Sequence, residues 1–371
     1  MKLQWVEFEN LETGLKIERI YFNKDITLLV GLSGAGKTQV LNAVKYSLSL
    51  AVDKNTTLHP YSVGLGILIG EDNYEWFYQV NKVNPTELMI AETGNYEFLY
   101  EKLLCNGKTV FERDGRNIDI IYYKQVPQPK RDESLLFQYA EDENFKKLIS
   151  GMRKIYLVDM EIEIRRGFLS KDFINYKTQI SDIMKAGKKF DFKRFSRLPV
   201  PLKLYIVKKY YCDIYGLIFE AIKELFYEIE DIDIEEDPTR NMYFLSMKVY
   251  RKKLMQKDIS NGMLKTIYYI VELFTMSDDS LVLIDEFENG LGVNCIDTLC
   301  ELMLSERNDL QLIITSHHPK IINAIDKEKW KIIERDGSVI RNRISQKLGI
   351  GNSQHDAYFN LINRWEFEGK I

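Results

Sequence analysis

The spacing of apolar residues near the start of the chain indicates strands followed by a helix. Residues 5–8, 15–22 and 26–30 have strand patterns, and the last is a short apolar run that ends at Gly31. Such a run is typical of a strand buried on both faces. After Thr38 the apolar positions recur at helical spacing, at Val40, Leu41, Val44 and Leu48. We therefore predict a strand, a glycine-rich turn and a helix in succession.

Strand patterns continue for some distance, and helical spacing then takes over. Residues 66–70 and 74–80 flank a polar turn and predict a hairpin, and residues 118–123 predict another strand. Residues 134–230 have mostly helical spacing, with breaks near Gly187 and at the prolines of 199–201. The middle of the chain is therefore predicted to be largely helical.

The last third alternates between strands and helices. We predict strands at 242–250, 281–284 and 310–314, helices at 262–276, 293–305 and 319–325, and a hairpin at 331–341. Strands that alternate with helices in this way are typical of an α/β fold with parallel strands.

Composition places the chain among ordinary globular proteins. It has 371 residues, enough for two domains or for one domain with a large insertion. Its net charge of −4 excludes a surface that is attractive to nucleic acid throughout, although a local basic face stays open. The four cysteines are scattered without a C-x-x-C pair, so we predict free thiols and no zinc site.

The chain shows no pattern that predicts a membrane segment or a secretion signal. The first residues lack the apolar core of a signal peptide. The most apolar helical stretch, residues 202–226, is interrupted by charged residues, so it is not predicted to span a bilayer. We therefore expect a cytoplasmic protein that makes no membrane contact.

Residues 31–38, GLSGAGKT, fit the phosphate-loop pattern G-x4-G-K-[ST]. Glycines let backbone N–H groups turn toward phosphate oxygens, and the following helix adds the positive end of its dipole. Lys37 is expected to reach the β and γ phosphates, and Thr38 to bind Mg²⁺. The predicted nucleotide-binding residues here are Gly31, Ser33, Gly34, Ala35, Gly36, Lys37, Thr38 and Gln39. A chance glycine-rich turn is the alternative, but the strand before it and the helix after it favour the loop.

Two acidic residues directly follow the apolar strand at 281–284. A strand of this kind in a parallel sheet presents its next residues at the carboxyl edge, where nucleotides bind in open α/β sheets. Asp285 is the candidate Mg²⁺ ligand, and Glu286 is the candidate base for an attacking water. A pair of acids that merely opens a loop is the alternative, and the phosphate loop upstream argues against it.

Two further sites are weaker when each is taken alone. His317 and His318 follow the strand at 310–314, and a neutral imidazole there can hydrogen-bond a γ-phosphate. Ser260 and Gly262 precede the helix at 262–276 and can form an anion site at its start. A histidine satisfied within its loop and an ordinary serine cap are the corresponding alternatives.

Taken in order, these motifs resemble the head of an ABC-type ATPase, more narrowly its RecF/SMC/OLD branch. The resemblance rests on residues 31–38, on 285–291 (DEFENGL) and on 313–319 (IITSHHP). In that branch the switch histidine directly follows two small hydroxyl residues, which points to His317 rather than His318. Ser260 and Gly262 would be a short form of the signature, and residues 289–292 would lie in the loop that crosses to a partner head.

The resemblance implies an α/β P-loop ATPase head with a mixed sheet around the phosphate-loop helix and a largely helical inserted lobe. Residues 1–130 and 256–371 would form the head, and residues 131–255 the lobe. It also implies a glutamine near the metal that couples the nucleotide to the lobe. Gln125 is our choice, with Gln128 and Gln138 as alternatives.

The resemblance further implies ATP and Mg²⁺ as ligands and a homodimer or higher oligomer formed through the heads. ATP held by Lys37 and Thr38 of one head would be closed in by Ser260 and Gly262 of the other. The chain has no long heptad array, and only about fifty residues follow His317, too few for a nuclease domain. Compact heads of this kind are similar to the ATPase subunits of the Septu and PARIS anti-phage systems. We therefore expect a separately encoded nuclease or toxin as the effector.

Two other functions stay open, a DNA-binding repair ATPase similar to RecF and a scaffold that binds nucleotide without hydrolysing it. Residues 185–197 are basic with interleaved aromatics, and they suit a DNA backbone, an acidic partner or a solvated loop. Residues 228–237 are acidic and alternate with isoleucine, which favours an edge strand or a solvated turn over a docking site for a basic partner or for residues 185–197. The acidic balance of the chain favours the effector-regulating ATPase, and Glu286 argues against the scaffold.

Overall fold

The computed structural model describes residues 1–83, 96–124, 129–158, 168–185, 198–237, 239–307 and 309–343. Its strands are β1 Lys2–Asn10, β2 Lys16–Tyr21, β3 Ile26–Val30, β4 Tyr61–Ile69, β5 Asp72–Lys82, β6 Tyr96–Cys105, β7 Lys108–Asp114, β8 Asn117–Ile120, β9 Ile155–Val158, β10 Phe168–Leu169, β11 Ile229–Asp237, β12 Met242–Val249, β13 Lys252–Met255, β14 Leu281–Ile284, β15 Gln311–Thr315, β16 Trp330–Asp336 and β17 Val339–Arg343. Its α-helices are α1 Lys37–Val52, α2 Leu135–Gln138, α3 Glu143–Met152, α4 Ser170–Lys185, α5 Val200–Tyr210, α6 Cys212–Leu225, α7 Asn261–Thr275, α8 Val293–Glu301 and α9 Pro319–Ala324.

The larger sheet is mixed, as the sequence predicts. Within the described ranges it has thirteen strands in the order β8-β7-β6-β5-β4-β1-β2-β17-β16-β3-β15-β14-β9. The strands from β8 to β2 pair antiparallel, whereas β16, β3, β15 and β14 pair parallel to one another. Every residue of β3, β14 and β15 is buried, which explains their continuous apolar runs.

The chain divides into two compact units. The first unit comprises residues 1–157, 279–287 and 309–371. It contains the larger sheet, and its apolar core joins strand residues such as Leu65 and Ile313 to Val40, Leu41 and Val44 of α1. The helical spacing that predicted α1 is therefore the spacing of the face that α1 buries.

The second unit comprises residues 158–278 and 288–308. It is rich in helices, and it also carries a small sheet in which β12 pairs with β10, β11 and β13. Lys203 and Glu272 form an ion pair of 2.7 Å in its interior. The compact units change at residues 157–158 and 278–279, among others. The domain boundaries predicted at residues 130 and 255 stay a prediction.

Strands β6, β7 and β13 were not predicted, and three predicted stretches differ from the elements that form. Residues 155–158, inside the stretch predicted to be mostly helical, form β9 beside β14, because pairing with a sheet edge overrides local preference. The strand predicted at 118–123 ends at Ile120, and the helix predicted at 293–305 ends at Glu301 and continues as a π turn. Residues 229–237 form β11, an edge strand of the small sheet, as their alternation predicts.

Among the described helices, none combines the length and the apolar character needed to cross a bilayer.

Candidate active site

The loop at residues 31–38 joins β3 to α1 at the carboxyl edge of the parallel strands. Gly36 caps α1 with φ 99°, a left-handed conformation that favours glycine. A Cβ atom on Gly31 would stand 2.4 Å from the carbonyl oxygen of Ile333, so the loop lies directly against β16. The two glycines of the pattern are therefore required by backbone shape and by close approach.

Lys37 is the first residue of α1, and its side chain turns back into the loop. Its Nζ donates hydrogen bonds to the carbonyl oxygens of Gly31 at 2.9 Å and Leu32 at 3.0 Å. The residue is only 6% exposed, so the ammonium group is fixed within the loop. An anion that entered the loop would meet this charge together with the first-turn amides of α1.

The other predicted loop residues differ in their exposure to solvent. Ser33, Gly34 and Thr38 are exposed, whereas Ala35 is buried. The side-chain oxygen of Gln39 is buried and finds no hydrogen-bond partner in the described part of the chain. A buried acceptor without a donor is costly, and a donor brought by a ligand would satisfy it.

Asp285 and Glu286 follow β14, and β15 separates β14 from β3. Leu283 of β14 pairs with Ile313 of β15, and Ile313 pairs in turn with Thr27 of β3. Because the three strands are parallel, the residues that follow them meet at one edge of the sheet. The structure therefore brings the loop, the acidic pair and the end of β15 together.

Thr315, the last residue of β15, connects the two acidic residues. Its hydroxyl donates a hydrogen bond of 2.6 Å to Oδ1 of Asp285 and accepts one of 2.7 Å from the amide of Glu286. Its carbonyl oxygen accepts a bond of 3.1 Å from the amide of Phe287. Thr315 is 1% exposed. Sequence reasoning did not single out this residue; its place between the strand and the histidines was the available signal.

Glu286 has an unusual backbone. Its φ is 45°, in the left-handed region that residues other than glycine rarely adopt. Strain of this kind persists where surrounding bonds hold it, and here the amide of Glu286 is held by Thr315. The side chain of Glu286 is exposed and that of Asp285 is partly buried. The turn thus presents one carboxylate to solvent and orients the other.

The two histidines differ in their surroundings. Nδ1 of His318 accepts a hydrogen bond of 3.2 Å from the amide of Lys320 and so caps α9. The amide of His318 in turn donates to Oγ of Ser316 at 3.0 Å. His317, one residue closer to β15, is exposed. His318 therefore has a structural role at the helix start, and His317 as the phosphate-facing histidine stays a prediction.

Ser260 and Gly262 lie in the second unit at the start of α7. Oγ of Ser260 accepts a hydrogen bond of 3.3 Å from the amide of Met263 and caps the helix. A Cβ atom on Gly262 would lie 3.1 Å from the carbonyl oxygen of Gly290. Nζ of Lys265 donates to the carbonyl oxygen of Asn289 at 2.8 Å. The start of α7 and the loop at 289–292 therefore form one continuous surface.

Of the three candidates for the glutamine that couples nucleotide to the lobe, the structure describes Gln138 alone. Gln125 and Gln128 lie outside the described residues. The side chain of Gln138 donates to the carbonyl oxygens of Lys130 and Glu133, each at 2.9 Å, and accepts from the amide of Lys130 at 2.8 Å. Gln138 thus fixes the loop before α2, and Gln125 stays a prediction.

The donor groups at the sheet edge suit a phosphate chain with a divalent metal. Lys37 and the helix start are positive, and Thr38 and Asp285 offer the hydroxyl and carboxylate oxygens that Mg²⁺ prefers. The loop is closed against β16 with its lysine inside it, and the residues present fit such a ligand.

A family model matches the part of the chain that carries the acidic pair and the histidines. Residues 116–323, more than half of the sequence, match the family model described as "AAA domain, putative AbiEii toxin, Type IV TA system". The chain belongs to this AAA domain family. The match contains Ser260, Asp285, Glu286 and His317, whereas the loop at 31–38 lies upstream of it.

A solved structure with a TM-score above 0.5 shows the fold of this AAA domain protein. The crystal structure of an SmcHead bound to the C-winged helix domain of ScpA is 14% identical, with a TM-score of 0.52, and the alignment covers 92% of this chain and 98% of that one. The SMC head domain from Thermotoga maritima is 12% identical, with a TM-score of 0.44 and coverage of 92% and 98%. No curated protein sequence matches the chain. The predicted ABC-type, SMC-like ATPase head is confirmed as the fold.

Proposed function

We propose that this protein hydrolyses ATP with Mg²⁺, and that two copies close around the nucleotide to regulate a separately encoded effector in bacterial anti-phage defence. One observation carries the proposal. The loop that holds Lys37, the Asp285–Glu286 pair and the end of β15 meet at one edge of the sheet, and Thr315 links the acidic pair to β15. This is the set of groups that phosphoryl transfer requires.

The residues would act as follows. Lys37 and the amides at the start of α1 hold the β and γ phosphates, while Thr38 and Asp285 hold the metal, with Gln125 as a further predicted ligand. Mg²⁺, when bound, supplies positive charge to the phosphate oxygens. Glu286 orients a water and accepts its proton, and His317 hydrogen-bonds the γ-phosphate. Hydrolysis removes the group that these side chains contact.

The surface formed by Ser260, Gly262 and residues 289–292 supports closure by a second copy. An exposed helix start beside a glycine-containing loop offers amide donors to an anion on another molecule. Bound ATP then stabilises the closed pair, and its hydrolysis releases it. The related SMC head was solved with a bound domain of ScpA, which supports a partner protein for this chain.

Phosphate release by purified protein tests the catalytic part. We expect Glu286→Gln to lower turnover by about 100-fold or more while ATP still binds, because only the proton acceptor is lost. Lys37→Ala should abolish ATP binding. Glu71→Gln, an exposed acid in the β4–β5 turn, is the matched control and should change nothing. Wild-type turnover in Glu286→Gln would exclude the assigned base.

Expression in bacteria tests the biological part. The family description names a putative toxin of a toxin–antitoxin system, which supports a role in growth control and makes toxicity of this chain itself the competing outcome. We expect this chain alone to be harmless and to affect growth only together with its effector, a nuclease or toxin. Growth arrest by this chain alone would contradict a separate effector. Turnover stimulated by double-stranded DNA, with salt-dependent binding, would favour the RecF-like alternative.

A further inference from the structure

A groove lies between the phosphate loop and the β16–β17 hairpin, and the proposed phosphate and metal contacts do not involve its hairpin wall. It has a volume of about 390 Å³. One wall is residues 32–35 of the loop, and the other is formed by Ile333, Glu334, Arg335 and Gly337 of the β16–β17 hairpin. The hairpin packs closely on the loop, because Ile340 of β17 lies against Gly36, just as the carbonyl of Ile333 lies against Gly31. The groove therefore continues directly from the loop.

The strand order determines which end of a nucleotide would reach this groove. Along the sheet, β15 and then β14 lie on one side of β3, and β16 lies on the other. Asp285 and Glu286 follow β14, so the reacting phosphate must point toward β15 and β14. The rest of the nucleotide then leaves the loop on the β16 side. The groove lies on that side, and its volume is in the range of small-molecule sites.

The groove wall offers a planar cation and an anchored carboxylate. Nε of Arg335 donates a hydrogen bond of 2.9 Å to the carbonyl oxygen of Gly337, which holds the exposed guanidinium across the hairpin turn. Glu334 pairs with Nε of Arg343 at 2.8 Å, so its carboxylate is held at the groove wall. The residues that line the groove include no aromatic ring. A guanidinium plane is the other protein group that stacks on a base.

We propose that this groove is the nucleoside subsite, with the base stacked on the guanidinium of Arg335 and the ribose beside Glu334. The proposal rests on the proposed function, because it assumes that the loop holds the phosphates. Stacking on a guanidinium depends on the π face and not on the edge groups of the base, so adenine and guanine nucleotides should bind with similar affinity.

Competition between ATP and inorganic triphosphate, measured by calorimetry with Mg²⁺, separates the subsite from the phosphate loop. We expect wild-type protein to bind ATP more tightly than triphosphate. Arg335→Ala should weaken ATP binding by about tenfold and leave triphosphate binding unchanged. Arg335→Lys should behave like Arg335→Ala, because lysine keeps the charge but has no plane. Arg116→Ala, an exposed arginine in the β7–β8 turn, is the control and should bind both ligands normally.

Three outcomes would overturn the proposal: equal loss of ATP and triphosphate in Arg335→Ala, full ATP affinity in that variant, or wild-type protein that binds triphosphate as tightly as ATP. Failure of the proposed function has a different signature. In that case Lys37→Ala would bind triphosphate as well as wild-type protein does.

Discussion

The hydroxyl of Thr315 forms hydrogen bonds with both residues of the acidic pair, Asp285 and Glu286. It orients the carboxylate of Asp285, holds the amide of Glu286 in its left-handed conformation, and lies two residues before His317. One buried side chain thus connects the candidate metal ligand Asp285 and the candidate base Glu286. Thr315 is a positioning residue, because its contacts reach the reacting groups only through Asp285 and Glu286.

Thr315→Val removes the hydroxyl and keeps the shape of the side chain. Asp285 would lose its donor and the amide of Glu286 its acceptor, so both carboxylates would shift. We expect turnover to fall by about 10- to 100-fold, because small misplacements of catalytic groups are costly. The Mg²⁺ concentration for half-maximal turnover should rise, while nucleotide binding in EDTA stays unchanged.

Thr315→Ser provides the control for that change. It keeps the hydroxyl and should restore most of the turnover and the Mg²⁺ dependence of the wild-type protein. Normal Mg²⁺ dependence in Thr315→Val, measured by phosphate release, would show that the two hydrogen bonds do not position the site.

The single residues show what the sequence could and could not predict. Lys37, Asp285 and Glu286 were predictable because each stands at a fixed place relative to a strand with a continuous apolar run. Thr315 was not, because its role depends on the pairing of β14 with β15, which brings residues thirty positions apart into contact. Gly31 shows the same limit, since its contact with Ile333 arises only from the pairing of β3 with β16.

At the scale of elements, the phosphate loop depends on the hairpin that lies against it. Gly31→Ala would place a methyl group 2.4 Å from the carbonyl oxygen of Ile333, so the loop or β16 must move. We expect this variant to lose ATP binding, because the loop can no longer hold its shape. Gly14→Ala is the control, since its Cβ atom meets nothing within 4 Å. It should cost about 1–2 kcal/mol of backbone strain and keep ATP binding. Calorimetry with thermal unfolding separates the two effects.

Glu101 is a buried carboxyl that joins β6 to α2. Glu101 accepts hydrogen bonds from the indole of Trp76 at 3.2 Å and from the amide of Leu135 at 2.8 Å. Burial raises the pKa of Glu101 to about 7, although Arg113, the Leu135 amide and the Trp76 indole act in the opposite direction. The folded-state pKa of Glu101 lies above the unfolded value, so the protonated carboxyl stabilises the folded protein. This contribution to the free energy of unfolding is complete below pH 4.5 and is lost as the pH rises through about 7.

Glu101→Gln tests the pH dependence, because glutamine keeps a hydrogen-bond acceptor and does not titrate. Between pH 5.5 and 8.5 we expect wild-type protein to lose about 2 kcal/mol of unfolding free energy relative to the variant. Urea unfolding of both proteins at the two pH values measures the difference. Parallel pH dependence in the two proteins would exclude a raised pKa at Glu101.

At the scale of the whole molecule, the chain passes from its first unit to its second directly after Phe287, close in sequence to the candidate catalytic pair. Residues 279–287 belong to the first unit and carry Asp285 and Glu286, and the second unit resumes at Glu288. The loop at 289–292, which contacts the start of α7, therefore begins three residues after the candidate base. A change at Glu286 has a short covalent route to the surface proposed to meet a second copy.

The fold class was predictable at this scale because the strands and helices alternate in order along the sequence. The bounds of the two units were not, since they depend on which segments pack together and not on where motifs stand. The predicted lobe at 131–255 shares its helices α4 to α6 with the second unit. Helices α7 and α8 also belong to that unit because they pack against α5 and α6, and no local sequence pattern predicts this packing.

The mass of Glu286→Gln protein in solution tests the central claim most directly. In sedimentation velocity with Mg²⁺, we predict that ATP doubles the mass relative to ADP, because the variant holds the γ-phosphate that closes two heads. Adding Lys37→Ala to this variant should remove the effect. The same mass with ATP and with ADP would contradict an ATP-closed pair of heads.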